Sequence, residues 1–199
     1  MSRALLLLLV ALALVGCGGD EDSGDAQPLT GREEMLADAL REGGVVLVMR
    51  HARTEPATDA IEVLGDCSRQ RNLSEAGRQQ ARAIGADIRA LGVPVGEVRA
   101  SPLCRARETA ELAFGKAKVD RVLVSPGVVG TAEDDDRRIA ALRRMTTAPP
   151  RTATVLVTHT GNIGGAFEQS VEEGDVLVLR GERLLGIVKP ADWTRLKAD

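Results

Sequence analysis

Two short runs of apolar and β-branched residues constrain the fold more than any other feature of the chain. They cover residues 45–49 (VVLVM) and 154–158 (TVLVT), and both are rich in β-branched side chains. Such a run is typical of a strand whose two faces are both covered, as in the parallel sheets of α/β proteins. Segments with helical spacing of apolar residues alternate with these strands. The pattern favours a three-layer α/β/α sandwich with a mostly parallel central sheet.

Helices are predicted where apolar residues recur every three or four positions. Thr30 and Glu33 predict a capping box at the start of a helix over 33–42, and Ser74 predicts the start of a long second helix. The apolar face of this second helix is predicted to consist of Ala76, Ala81, Ile84, Ile88 and Leu91. Further helices are predicted over 105–114 and 133–145, strands over 97–100 and 122–124, and an edge hairpin over 176–179 and 184–188.

The first 17 residues combine a basic residue, a short apolar run and a cysteine. Arg3 precedes an apolar run over residues 4–14, which is too short for a membrane-spanning helix and fits a signal peptide. The run ends in LVGC at residues 14–17, which resembles the lipobox of bacterial lipoproteins, where the signal is cut before a cysteine that is then lipidated. An ordinary secretory signal with a chance cysteine is the alternative.

These features predict three parts of the chain. Residues 1–16 are the predicted signal peptide, residues 17–30 a flexible tether that begins with lipidated Cys17, and residues 31–199 the folded domain. The tether is rich in Gly, Asp and Glu and has too few apolar residues to fold. We therefore expect a protein anchored to a membrane by lipid, on the extracytoplasmic face of the cell envelope.

Cys67 and Cys104 remain once Cys17 is assigned to the lipid. Outside the cytoplasm such a pair usually forms a disulfide, although two buried free thiols are the alternative.

The cysteines and histidines show no spacing typical of a zinc site, so no metal site is predicted. A net charge of −3 and an aromatic content of 2% argue against nucleic-acid binding.

The chain contains only two histidines, and each directly follows one of the two apolar runs. His51 follows the run at 45–49, and His159 follows the run at 154–158. Open α/β sheets bind their ligands beyond the carboxyl ends of the strands. We therefore expect both histidines to belong to one functional site.

Four ordered motifs surround these histidines. Arg50-His51-Ala52 is followed by Thr54, and the segments LSEAGRQQA (73–81), SPLCRARETA (101–110) and HTGN (159–162) come later. In this order the motifs resemble those of the histidine phosphatase superfamily, whose members usually have glycine where Ala52 stands. The resemblance implies a phosphoglycerate mutase-like fold and covers residues 45–188.

The resemblance also implies an activity, namely phosphomonoester hydrolysis through a phosphohistidine intermediate. His51 would be the nucleophile, His159 would donate to the phosphate oxygens, and Arg50 and Arg105 would clamp the phosphate. The planar guanidinium suits this task because it grips two phosphate oxygens at once. No cofactor or metal is expected, and the partner would be a small phosphorylated substrate. Substrate binding is also expected from Arg53, Thr54 and Thr160.

The proton donor for the leaving oxygen has no clear match. Many members carry a glutamate after the third motif, where this chain has VLVS at 122–125. Glu133 and Asp134 are the nearest later acids, although acids at a helix start facing solvent fit them equally well. Three acids in the insertion over 55–72 also stay open, namely Asp59, Glu62 and Asp66. A catalytically degenerate lipoprotein that binds phosphorylated ligands or a protein partner is therefore the alternative function.

Overall fold

The computed structural model describes residues 28–56 and 63–197. The predicted signal peptide, the predicted tether up to residue 27 with Cys17, and the candidate acids Asp59 and Glu62 lie outside the described residues. No helix in the described part of the chain is long and apolar enough to span a membrane. The elements are α1 (Gly31–Glu42), β1 (Val46–Arg50), α2 (Glu75–Ala90), β2 (Val95–Ala100), α3 (Cys104–Phe114), β3 (Lys118–Val119), α4 (Ala132–Arg144), β4 (Ala153–Thr158), α5 (Thr160–Phe167), β5 (Val176–Arg180), β6 (Arg183–Val188) and α6 (Trp193–Leu196).

A single six-stranded sheet with the order β3-β2-β4-β1-β5-β6 forms the middle layer. The strands β3, β2, β4 and β1 are parallel, whereas β5 runs antiparallel to β1 and pairs with β6 as a hairpin at one edge. The predicted sandwich, mostly parallel sheet and edge hairpin are therefore confirmed. β1 lies inside the sheet, which explains why its sequence is apolar on both faces.

Helices cover both faces of the sheet, and β1 shows this clearly. Leu47 and Met49 point into a core shared with α1, α2, α3 and α6, while Val46 and Val48 point into a second core shared with α4 and α5. The single tryptophan, Trp193, is fully buried in the first of these cores. The side chains on each strand alternate between the two cores because successive residues of a strand face opposite ways.

The predicted helix starts are confirmed, but the buried face of α2 differs from the predicted one at one position. Thr30 and Glu33 form the capping box of α1, and the Ser74 hydroxyl accepts from the Gly77 amide at the start of α2. Ala76, predicted on the apolar face of α2, is exposed, and Gly77 is buried instead. A side chain at position 77 would collide with the neighbouring loop, so glycine rather than alanine occupies the contact.

The predicted strand over 122–124 is wrong. Arg121–Leu123 is a turn of 3-10 helix, because the Asp120 carboxylate accepts a hydrogen bond from the Val122 amide at 3.0 Å. Leu123 and Val124 are buried, which accounts for the apolar run that suggested a strand. The strand in this region, β3, lies just before it and has two residues.

Candidate active site

Two adjacent parallel strands bring the two histidines side by side. The register of β1 and β4 pairs Arg50 with Thr158, so His51 and His159 leave the sheet together. The His51 amide donates to the Thr158 carbonyl at 3.0 Å, and the two imidazole rings are 5.3 Å apart between centroids. Both side chains are almost fully buried, at 2% and 3% exposure. The site therefore lies at the carboxyl ends of the strands, where the sequence predicted it.

The backbone fixes the hydrogen position on the His51 ring. Nδ1 lies 2.9 Å from the carbonyl oxygen of Ala52, and since a carbonyl only accepts, Nδ1 carries the hydrogen. Burial lowers the pKa of His51 to about 3, with the charges of Arg105 and Arg50 acting in the same direction and the Ala52 hydrogen bond opposing them. The imidazole is therefore neutral near neutral pH, and Nε2 has a free lone pair for attack on an electrophile.

His159 is held through its other nitrogen. Its Nε2 lies 2.8 Å from the hydroxyl of Ser101, whose oxygen already accepts from the Leu103 amide. The Ser101 hydrogen is thus available for Nε2, and in that arrangement Nδ1 carries the ring hydrogen. Burial, followed by the neighbouring His51 and Arg105, holds the pKa of His159 well below its ordinary value. Nδ1 has no hydrogen-bond partner among the described residues, so its hydrogen is available to a ligand.

Guanidinium groups supply the positive charge of the site. Arg50 donates from Nη1 to the Val171 carbonyl at 2.7 Å, and the buried Arg105 donates from Nη1 to the Arg71 carbonyl at 3.4 Å. The charges of Arg50, Arg71 and Arg105 all lower the pKa values of both histidines, so they act on the same small volume. Such a cluster favours a dianionic ligand such as a phosphate group.

The remaining motif residues hold the loop after β1 in place. The Ala52 amide donates to the Thr109 hydroxyl at 3.0 Å, and the Arg53 amide donates to the Gln80 side-chain oxygen at 3.0 Å. A Cβ atom at Gly77 would lie 1.8 Å from the Arg53 carbonyl oxygen, so α2 approaches the loop closely only because this residue is glycine. Ala52 itself is fully buried against Leu73, so there is room for its methyl group at this position.

A carboxylate that sequence reasoning missed lies beside His51. The Thr54 hydroxyl donates to Glu173 Oε1 at 2.7 Å, and the Thr54 amide lies 3.3 Å from Oε2. Thr54 was expected to bind substrate, but its hydroxyl hydrogen is engaged by Glu173 within the protein. Glu173 belongs to no motif, and it comes near Thr54 only through the antiparallel pairing of β5 with β1. The other two expected substrate ligands, Arg53 and Thr160, are exposed.

The candidate proton donors among the described residues make local contacts at helix starts. Asp134 completes a capping box with Thr131 at the start of α4, and its hydrogen bonds to Thr131 and Arg137 hold its pKa at about 2. Glu133 is exposed, and the Thr131 hydroxyl lowers its pKa. Asp66 accepts from Ser68, which lowers the pKa of Asp66 as well. A group that is ionised far below neutral pH is a poor proton donor, so these contacts argue against the role.

The expected disulfide joins Cys67 to Cys104, with their Cα atoms 5.7 Å apart. It ties the insertion over 55–72 to the first turn of α3, next to Arg105. The Gln70 side chain strengthens this connection, because its oxygen accepts from the Cys104 amide at 2.8 Å.

Within residues 28–56 and 63–197, no three His, Cys, Asp or Glu side chains cluster closely enough to hold a metal ion.

The sheet order and the site at its strand ends define a phosphoglycerate mutase-like α/β protein. Residues 46–128 match the family model described as "Histidine phosphatase superfamily (branch 1)". A search of curated protein sequences gives no significant match.

Solved structures share the fold at low sequence identity. The protein histidine phosphatase SixA in complex with tungstate is 16% identical, with a TM-score of 0.55 over 74% of this chain and 98% of that one. The putative phosphohistidine phosphatase SixA from Agrobacterium tumefaciens is 19% identical, with a TM-score of 0.51 over 73% and 98%. Phosphoserine phosphatase from Entamoeba histolytica in complex with 3-phosphoglyceric acid is 14% identical, with a TM-score of 0.53 over 72% and 95%.

Proposed function

We propose that this chain is a phosphomonoester hydrolase of the histidine phosphatase superfamily that acts outside the cytoplasm through a phosphohistidine on His51. The observation that carries the proposal is the His51 ring itself. It is buried and neutral, and because its Nδ1 hydrogen is engaged by the Ala52 carbonyl, its lone pair lies on Nε2. The centroid of the His159 ring lies 5.3 Å from that of the His51 ring, and the charges of Arg50 and Arg105 act on both rings.

The proposed reaction has two displacements at phosphorus. His51 Nε2 forms a bond to phosphorus while the ester P–O bond breaks, and the leaving oxygen keeps the electron pair and takes up a proton from solvent. A water oxygen then attacks phosphorus and loses one proton to solvent, while the N–P bond breaks and its electron pair returns to Nε2. Arg50, Arg105 and the Nδ1 hydrogen of His159 neutralise the charge on the other phosphate oxygens in both steps. The chain's own cations meet this charge, so the proposal includes no metal ion.

The proposed substrate is a small phosphorylated molecule. Structural relatives bind tungstate and 3-phosphoglyceric acid, which are a phosphate-like oxyanion and a small phosphomonoester.

The proposed location is supported by the lipobox-like LVGC at residues 14–17. The disulfide is consistent with it, because such bonds persist in oxidising compartments.

Trapping the covalent intermediate tests the proposed activity. The full-length protein, kept in detergent, is mixed with para-nitrophenyl phosphate, quenched in alkali during turnover and digested for mass spectrometry. We expect a phosphoryl group on His51 that is stable to base and lost in acid, and none in His51→Ala. Dialysis against EDTA should leave the turnover rate unchanged.

The opposite result would support the alternative function. A wild-type protein that binds tungstate but shows neither turnover nor an adduct between about pH 4 and pH 8 is a binding lipoprotein. The proposed lipid anchor is tested separately, by expressing the full chain in a bacterial host and examining the mature protein. The mature chain should begin at an acylated Cys17 and partition into detergent, whereas Cys17→Ser should partition into the aqueous phase.

A further inference from the structure

Glu173 lies beside the nucleophile, yet the reaction proposed above does not use it. Its Oε1 is 2.7 Å from the Thr54 hydroxyl, 3.8 Å from Arg50 Nη2 and 4.0 Å from His51 Nδ1. Its side chain is 21% exposed, so this carboxylate is largely removed from solvent. A negative charge in this position faces two groups that the proposed reaction depends on.

The backbone around Glu173 is built into the site. The Glu173 carbonyl accepts from the Gln80 side chain at 3.1 Å, and the next residue, Gly174, donates its amide to the His51 carbonyl at 3.0 Å. The Arg50 amide donates to the Asp175 carbonyl at 3.0 Å. These three bonds attach the segment to α2 and to the end of β1, so the placement of Glu173 follows from the fold of the site.

The side of the ring on which Glu173 lies restricts its role. It is near Nδ1, whereas phosphorus bonds to Nε2 and the leaving oxygen departs beyond phosphorus. Glu173 is therefore badly placed to protonate the leaving group. It is well placed for the charge that appears on the ring, because an imidazole that keeps its Nδ1 hydrogen and bonds to phosphorus through Nε2 becomes cationic.

We propose that Glu173 is a positioning residue, which stabilises the cationic phosphorylated ring of His51 from the Nδ1 side and holds Thr54 and Arg50 around it. The proposal depends on the proposed function, because it concerns the same intermediate. Arg50, Arg71 and Arg105 repel a positive charge on this ring, and their effect on its pKa shows that they are within electrostatic reach. A carboxylate 4.0 Å from Nδ1 offsets that repulsion at the moment the charge forms.

The test compares variants that separate charge from shape. Glu173→Gln keeps an oxygen acceptor for Thr54 and removes the charge, whereas Glu173→Asp keeps the charge on a shorter side chain. In full-length protein with para-nitrophenyl phosphate, we expect Glu173→Gln to slow phosphoenzyme formation by roughly 10-fold to 100-fold. Its affinity for inorganic phosphate, measured by calorimetry, should stay within about 3-fold of the wild type, because no ring charge forms on simple binding. Glu173→Asp should recover part of the rate.

The neighbouring Glu172 provides the matched control. It is exposed, and Glu172→Gln removes the same charge one position away, so its phosphoenzyme formation should equal that of the wild type. If Glu173→Gln forms phosphoenzyme at the wild-type rate, the role of Glu173 is overturned and the proposed function stands. If the wild type forms no phosphoenzyme, the proposed function itself fails, and the role of Glu173 fails with it.

A second variant keeps the test decisive if Glu173→Gln does not fold. Thr54→Val removes the hydroxyl that holds Oε1 but leaves the charge in the protein. We then expect phosphoenzyme formation to slow by a few-fold, with phosphate affinity unchanged. A wild-type rate of phosphoenzyme formation in Thr54→Val would overturn the proposal, because the role of Glu173 requires its carboxylate to be held beside Nδ1.

Discussion

The two sides of the site are held together in different ways. One side, which we name the motif side, consists of residues 51–54, 73–81 and 101–110. Its hydrogen bonds join distant parts of the chain: Ala52 to Thr109, 57 positions apart, and Thr54 to Glu173, 119 positions apart. The other side, the α4 side, consists of residues 125–135 and packs against α5 next to His159 through Pro126.

The α4 side depends on local contacts. Its described hydrogen bonds reach at most nine positions along the chain, as in the bonds of Arg138 to Val129 and of Gly127 to Asp135. The motif side is therefore coupled to the folding of the whole sheet, whereas we expect changes in the sequence of the α4 side to leave the histidines in place. We expect chemistry to depend on the first side and substrate preference to vary with the second.

The largest expected difference between the sides is in activity. His51→Ala should lower kcat/KM for para-nitrophenyl phosphate by a factor on the order of 10⁴ or more, because it removes the proposed nucleophile. On the α4 side, Asp134→Asn should change kcat/KM by less than about 3-fold, because Asp134 caps a helix and its pKa lies at about 2. Steady-state kinetics checks both variants. A loss of 100-fold or so in Asp134→Asn would restore Asp134 as the proton donor.

The pH dependence of stability should also differ between the sides. The pKa of His51 falls from 6.5 to about 3 on folding, so below about pH 6.5 the unfolded chain binds a proton that the folded chain does not. The free energy of unfolding should therefore decline as pH falls from about 6.5 towards 3, by roughly 3–5 kcal/mol from this residue. Asp134 should add its own loss only below about pH 4, since its pKa moves from 3.8 to about 2.

Urea unfolding at a series of pH values checks this difference. In His51→Gln the decline between about pH 6.5 and 4 should become smaller, and in Asp134→Asn it should not change. An unchanged decline in His51→Gln would mean that the buried His51 does not control acid stability.

The next largest expected effect is on the free energy of unfolding, when the disulfide of the motif side or the helix cap of the α4 side is removed. Replacing Cys67 and Cys104 together with serine opens a loop of 37 positions, which should lower the free energy of unfolding by about 4 kcal/mol in the chain-entropy model. Thr131→Ala, which removes the α4 cap, should cost about 1 kcal/mol. Chemical unfolding with and without a reductant measures both. A reductant that leaves the wild type as stable as before would show that the disulfide does not contribute.

The smallest expected difference in stability is between two glycine variants. One introduces a steric collision, and the other introduces backbone strain without a collision. Gly77→Ala places a methyl group 1.8 Å from the Arg53 carbonyl oxygen, which should cost roughly 1–3 kcal/mol and lower activity by moving the loop after β1. Gly127→Ala meets no neighbour within 4 Å but requires a φ of +77°, which should cost about 1 kcal/mol and leave activity unchanged. Thermal unfolding and kinetics together check the pair. Equal activity in both variants would mean that the close approach of α2 does not position the loop.

The features predicted correctly were those with a local signal. The strand ends at His51 and His159 follow continuous apolar runs, and the helix start at Ser74 has a capping residue. Glu173 had no such signal, because its partners are set by the pairing of β5 with β1 and not by its neighbours in the chain. The two residues of β3 and the four of α6 are too short for any periodicity to indicate them.

The order of the strands has a consequence for how the protein folds. Among the described residues, β1 is the first strand along the chain, yet it pairs only with β4 and β5, which come much later. Until those strands arrive, an apolar segment with unpaired backbone groups stays exposed, which is the kind of segment that aggregates. Fragments that end before β4 should therefore be insoluble as well as inactive. The same long-range pairing that places His51 beside His159 also makes this a chain that must be almost complete before it can fold.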